Sequence, residues 1–290
     1  MIKDISYMHE HITIDLSKEK NDIDCKLDLF EETKRELKKI KTLGVSRIVD
    51  VSNIGIGRNV NYVKRMEDET GINIFMSTGY YKDPFFPKEV KESTIEQLAL
   101  IMINDINVGI EGTDKKASFI GEIGTSFDTI TDNEEKVFLS SAIAQKETNV
   151  FITTHTSLGK FGHEQLDILE SENVNLERVI LGHTDLSNNL EYIKSLLDRG
   201  VYIAFDTIGK VNYLPESTRL YFIKTLCDLH WEDKIILSLD ITRRSHLEVN
   251  GGIGYAYLIE NFIPMMKKYE IETEKITKMV SENPKRILGL

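Results

Sequence analysis

The chain has 290 residues, 41% of them hydrophobic and 29% charged, the balance of a globular protein long enough to bury a substantial core. Its formal net charge of −11 disfavours nucleic acid and anionic membrane as partners. No apolar run reaches the ~18 residues of a membrane span, no secretory leader is visible, and Cys25 and Cys227 lack CxxC spacing, so free buried thiols and a cytoplasmic location are expected.

Short β-branched runs alternate with longer amphipathic ones along the chain. The first, ISYMHEHITI at 5–14, reads as a strand with histidines at alternate positions. Side chains at i and i+2 share one face of a strand, so His9 and His11 should point inward and Glu10 away. A helical pattern follows at 27–43, where Leu27, Phe30, Leu37 and Ile40 fall near a 3.6-residue period. The remaining strand candidates are SRIVDVS (46–52), INIFMSTG (72–79), SFIGEIG (118–124), NVFITTHT (149–156), RVILGHT (178–184), VYIAFDT (201–207) and KIILSLD (234–240). Helical patterns separate them at 58–70, 88–108, 132–148, 163–172, 188–199 and 215–229, with two more, 252–269 and 273–288, after the last. Gly44, Gly71 and Gly200 each follow a helical run, as stop signals do.

Eight such strand–helix units predict an α/β fold, a (β/α)₈ TIM barrel, better than a doubly wound sheet. No GxGxxG follows the first strand, which argues against a dinucleotide fold. No Pro/Gly/Ser-rich linker interrupts the pattern, so residues 1–290 are expected to form one domain.

A barrel places catalytic groups at the C-terminal ends of several strands. Glu122 lies at the end of the fourth strand, His155 of the fifth, His183 of the sixth and Asp240 of the eighth. A lone histidine in an apolar run is more often a satisfied core residue than a ligand. Four histidines and two acids at strand ends are another matter, because burying them without a cation would leave charges and donors unpaired. Six donors exceed the needs of one tetrahedral Zn²⁺ and suit two ions. The expected arrangement gives His9, His11 and Asp240 to the first ion and His155 and His183 to the second, with Glu122 spanning both. Zn²⁺ suits these donors, and Mn²⁺ or Fe²⁺ would be accepted. A hydroxide shared by two cations is a nucleophile at neutral pH, and Asp240 can take its proton and pass it to a leaving group. His163 and His230 read as surface residues, and His246 as a loop residue.

The segments HEHITIDLS, GINIFMSTGYYKDPFFP, EIGTS, THTS, GHTDL, FDTIGK and LSLDITRRSHLEVNGGIGYAYLIENFIP occur in this order, nearly end to end. In them the chain resembles the phosphotriesterase family of the amidohydrolase superfamily. The resemblance implies a (β/α)₈ barrel with a binuclear zinc site and a bridging hydroxide. It carries metal roles onto His9, His11, Glu122, His155, His183 and Asp240. It also implies a homodimer as one possible assembly. Many family members bridge the metals with a carboxylated lysine, where this chain has Glu122. Bicarbonate is therefore expected to leave metal loading unchanged, and the family name does not by itself imply an organophosphate substrate.

Loops after the strands shape the pocket of a barrel. After the third strand, Tyr80 or Tyr81 could donate a hydrogen bond to a substrate oxygen; packing at the rim is the competing role. Arg243 and Arg244 follow the eighth strand and match phosphate or carboxylate. Lys210 and Lys82 add positive charge. In so acidic a protein, cations at the mouth favour a small anionic substrate. The resemblance points to a hydrolase of lactones or other esters, phosphorylated or not. A phosphodiesterase, a phosphotriesterase or a TatD-type nuclease is the competing reading, with the net charge against the nuclease. A non-catalytic metal-binding protein is the third.

Overall fold

Eight of the apolar runs form parallel strands in a computed structural model that describes residues 2–290. They are β1 (Ile5–Glu10), β2 (Val45–Asp50), β3 (Asn73–Thr78), β4 (Ala117–Thr125), β5 (Phe151–Thr156), β6 (Val179–Gly182), β7 (Tyr202–Phe205) and β8 (Ile235–Leu237). Each pairs with the next in sequence order, with Ile48 opposite Ile74, Phe119 opposite Phe151, and Ile203 opposite Ile235. Helices cross between them over the outer face: α1 (Phe30–Thr42), α2 (Val60–Thr70), α3 (Ile95–Asn107), α4 (Asp132–Thr148), α5 (Gly162–Ser171), α6 (Leu190–Leu197) and α7 (Glu216–Asp228). The strands are apolar on both faces because helices cover one and the barrel core the other; Ile48, Val49, Ile152, Leu181 and Ile203 are all fully buried.

Where the structure departs from the expected boundaries, local chemistry explains it. The 88–108 run breaks at Ser93, because Thr94 caps α3: its hydroxyl accepts from the N–H of Gln97, whose side chain returns to the Thr94 N–H. Leu27 belongs to a two-residue strand, Lys26–Leu27, paired antiparallel with Ile14–Asp15. It is fully buried there, so its apolar spacing mimics a helix position. The helical runs near the end each contain a π turn, Leu258–Phe262 and Lys278–Glu282. Each π turn leads into a helix with a proline at its start, Pro264 or Pro284, which has no N–H for the α ladder.

The first strand is shorter than expected, ending at Glu10. Among the described residues the ladder runs from β1 to β8 and does not return to β1. The barrel is thus nearly closed, with a seam between its first and last strands. Side chains bridge that seam. The Ser238 hydroxyl accepts from the His9 N–H at 2.9 Å. The Glu10 carboxylate accepts from the Leu239 and Ile241 N–H groups at 2.7 and 3.0 Å. Tyr7 donates to the Tyr255 carbonyl, and Tyr255 donates to the His11 carbonyl. Among the described residues no helix is long and apolar enough to cross a membrane.

Candidate active site at the barrel mouth

The C-terminal ends of the strands bring six of the sequence-selected side chains together. His9 lies on β1 and His11 one residue beyond it. Glu122 lies in β4 and His155 in β5. His183 and Asp240 stand just past β6 and β8, both with left-handed backbones, φ 59° and 55°. Few non-glycine residues adopt that conformation, with histidine and aspartate among the types that do so more readily.

Glu122 is the centre of the group. Its Oε1 lies 3.3 Å from His11 Nε2. Its Oε2 lies 3.2 Å from His155 Nδ1, 3.4 Å from His9 Nε2 and 3.7 Å from His183 Nε2. Asp240 Oδ1 approaches His11 Nε2 at 3.4 Å and His9 Nε2 at 3.9 Å. One ligand atom each from His9, His11 and Asp240 falls within a 4.8 Å circle, and so does one each from His9, Glu122 and His183.

Neighbouring groups orient the imidazoles. The Ser52 hydroxyl donates to the Thr13 carbonyl at 2.6 Å, so it accepts from His11 Nδ1 at 2.9 Å. That leaves the His11 Nε2 lone pair facing the cluster. Asp206, immediately after β7, accepts hydrogen bonds from His183 Nδ1 at 2.7 Å and from the His183 N–H at 3.0 Å. Its other oxygen faces His9 Nδ1 at 3.3 Å. The donor set suits a cation. His9 Nδ1 and Nε2 and His11 Nε2 are buried without a hydrogen-bond partner among the described residues, and a ligating histidine held through its second nitrogen by a carboxylate or hydroxyl is a recurring metal-site arrangement.

The electrostatics agree with that fit. Burial lowers the basicity of His11, but Asp240 and Glu122 override it and raise its pKa to about 10. Burial opposes charge on Glu122 as well, yet His9, His11, His155 and His183 hold its carboxyl well below the usual range. Burial and the neighbouring His183 push His155 down to about 4. Asp240 is kept ionised against its burial by Lys210 first and then His11. A divalent cation held there would displace the proton from His11, since a ligating imidazole is neutral.

A cavity of about 380 Å³ opens onto this group, lined by Tyr81, Glu122, His155, His183, Lys210 and Asp240, with Lys20, Lys82, Phe127 and Arg243 towards its rim. Tyr81 stacks edge-on against His155 at 4.9 Å between ring centres. Two of the residues considered for substrate contact are placed otherwise. Tyr80 is fully buried and does not line the cavity, since it alternates with Tyr81 along the chain and faces the packing side. Arg244 turns away: its guanidinium donates to the Lys26 carbonyl at 2.7 Å and to Asp28 at 2.6 Å, tying the β8 loop to the small hairpin. Lys210 is engaged with Asp240 through both its carboxylate and its carbonyl. Arg243 lines the cavity while reaching Asp22 at 3.1 Å. His163 is half-buried against Ser195, His230 is exposed, and His246 Nδ1 accepts from the Thr242 N–H.

Phosphotriesterase family sequences match residues 4–288. The chain belongs to the phosphotriesterase family. The phosphotriesterase homology protein of Escherichia coli is 44% identical over 95% of this chain and 94% of its own length. Its crystal structure, with phosphate in the active site, superposes with a TM-score of 0.97 at 42% identity over 99% of each chain. A lactonase from Listeria monocytogenes superposes at 0.93 with 29% identity, over 99% of this chain and 95% of its own. An N-acetyltaurine hydrolase of Dictyostelium discoideum is 31% identical over 99% of this chain and 80% of its own length. The family is one of binuclear metal-dependent hydrolases, and this chain is a hydrolase of that family.

Sequence reading passed over Asp206, Ser52 and the partners of Glu10. Asp206 carried a usable signal, because it ends an apolar strand run as Asp240 does. Ser52 and Glu10 did not, since their roles depend on which strands become neighbours.

Proposed function

We propose that this protein hydrolyses the carbonyl of a small anionic ester or lactone, using two divalent cations, most simply Zn²⁺. His9, His11 and Asp240 would hold one and His155 and His183 the other, with Glu122 between them. The observation that carries this reading is the convergence of four imidazoles on Glu122, with Oε1 towards His11 and Oε2 towards His155, His9 and His183. When bound, such cations supply Lewis acidity at the carbonyl and bring the pKa of a water towards neutrality.

The chain's own residues do the rest. Asp240 lines the cavity, keeps its charge and takes the proton of the attacking water, then delivers it to the leaving alkoxide. Lys210 holds that carboxylate in place. Tyr81, whose hydroxyl lies 3.2 Å from His155 Nε2, would donate to a substrate oxygen. Lys20, Lys82 and Arg243 surround the outer part of the cavity and would receive the anionic end of the substrate. Lys82 has no carboxylate partner among the described residues and donates only to the Asp83 carbonyl. The Listeria relative is named a lactonase, the Dictyostelium relative is named for an N-acyl sulfonate, and the Escherichia coli structure is described with phosphate in its active site. The first two names imply an acyl group, and the last two descriptions an anion.

The test is a panel of sugar lactones and simple esters, each with and without a phosphate, plus N-acyl taurines, assayed with zinc-loaded protein. Turnover of an anionic lactone or ester is expected, and Asp240→Asn should reduce kcat by about a hundredfold or more. If no ester or lactone is hydrolysed by protein carrying two metals, the proposal fails.

A further inference from the structure

Glu10 sits between two of the proposed metal ligands and points away from them, yet it is fully buried. Its position is explained by the barrel seam. β1 and β8 are the one neighbouring pair without a backbone ladder among the described residues. His9 and His11 belong to one side of that gap and Asp240 to the other. Glu10 reaches across it with both oxygens, Oε1 to the N–H of Leu239 at 2.7 Å and Oε2 to the N–H of Ile241 at 3.0 Å. These two amides flank Asp240, whose φ of 55° is not one an aspartate adopts freely.

We infer that Glu10 is a positioning residue: its carboxylate clamps the backbone on either side of Asp240 and so sets that carboxylate against His9 and His11. The His-Glu-His triplet therefore does two jobs, its outer members facing the site and its middle member holding the site's far wall. A carboxyl group is needed because both oxygens must accept, one from each of two backbone N–H groups. Glutamine offers one oxygen and turns an N–H₂ donor towards the other amide. Ser238, which precedes Leu239 in the chain, supports the same closure by accepting from the His9 N–H.

The inference rests on the proposed role of Asp240 only for its effect on metal binding; the clamp itself can be read without metal. Hydrogen exchange on the metal-free protein should show the Leu239 and Ile241 amides protected in the wild type. In Glu10→Gln at least one of them should exchange about tenfold faster or more. Zinc binding by equilibrium dialysis should then weaken about 10–100-fold for one of two equivalents, leaving the other unchanged. Leu169→Ala, buried in α5 far from the seam, serves as a destabilised control and should change neither readout. Unchanged exchange at both amides in Glu10→Gln, or the same selective zinc loss in Leu169→Ala, overturns the inference. If Glu10→Gln does not fold, rapid exchange of both amides in the folded wild type overturns it equally. Protected amides in a wild type that binds no zinc would leave the clamp standing and remove the proposed hydrolase chemistry instead.

Discussion

Asp206 has both oxygens committed, one to the ring and main chain of His183 and the other towards His9. It fixes the tautomer that turns His183 Nε2 towards Glu122. Asparagine in its place keeps the size but presents a neutral acceptor and loses the charge that raises His183. Asp206→Asn should therefore weaken zinc binding about 10–100-fold, measured by competition with a chromogenic chelator, while the thermal midpoint moves little. Affinity equal to that of the wild type would show that Asp206 is only a structural acceptor. The six proposed ligands were legible in the sequence because barrel chemistry collects at strand ends, and each is a histidine or acid at such an end. Tyr80 and Arg244 were misplaced for a physical reason. Adjacent residues on an irregular loop share composition but not direction, and only the fold decides that Tyr81 and Arg243 face the cavity.

The elements were largely legible, since every strand run and most helical runs keep their period. What composition could not convey is how closely strands approach at the mouth. Gly182 ends β6, and a Cβ there would lie 2.3 Å from the Thr154 carbonyl oxygen and 3.1 Å from Asp206 Oδ2. Gly121 precedes Glu122 with φ 130°, and a Cβ there would lie 2.1 Å from the Thr153 carbonyl oxygen. In both cases β5 runs past with no room for a side chain. Gly182→Ala must push apart β5 and β6, which carry His155 and His183. It should lower Tm by about 5 °C or more, by calorimetry or circular dichroism. An unchanged Tm would mean that the strands separate at no cost. The end of β1 was overestimated because ISYMHEHITI keeps a strand-like apolar pattern beyond Glu10. The chain turns there instead, and Ile12 and Ile14 are buried without barrel pairing.

Charge is organised over the whole molecule. A chain of net charge −11 gathers Lys20, Lys82 and Arg243 around its mouth cavity, with Arg243 also paired to Asp22. Burial lowers the Lys82 pKa, so its ammonium is held at a cost that an anionic substrate would offset. Lys82→Met should raise KM about tenfold for phosphorylated lactones and leave that of neutral ones nearly unchanged. An equal change for both would assign Lys82 to packing. The overall charge was legible from composition, and Lys82 and Arg243 were expected at the mouth from their places after strands; Lys20 was not, because it follows no barrel strand.

Central to all of this is the claim that four imidazoles and two carboxylates form one site for two cations, bridged by Glu122 without a carboxylated lysine. Equilibrium dialysis of metal-stripped protein against zinc, followed by elemental analysis, tests it most directly. Two equivalents per chain are predicted, the same with and without bicarbonate, falling to one or fewer in Glu122→Ala. Saturation of folded wild-type protein at one equivalent or none, or loading that requires bicarbonate, would contradict it.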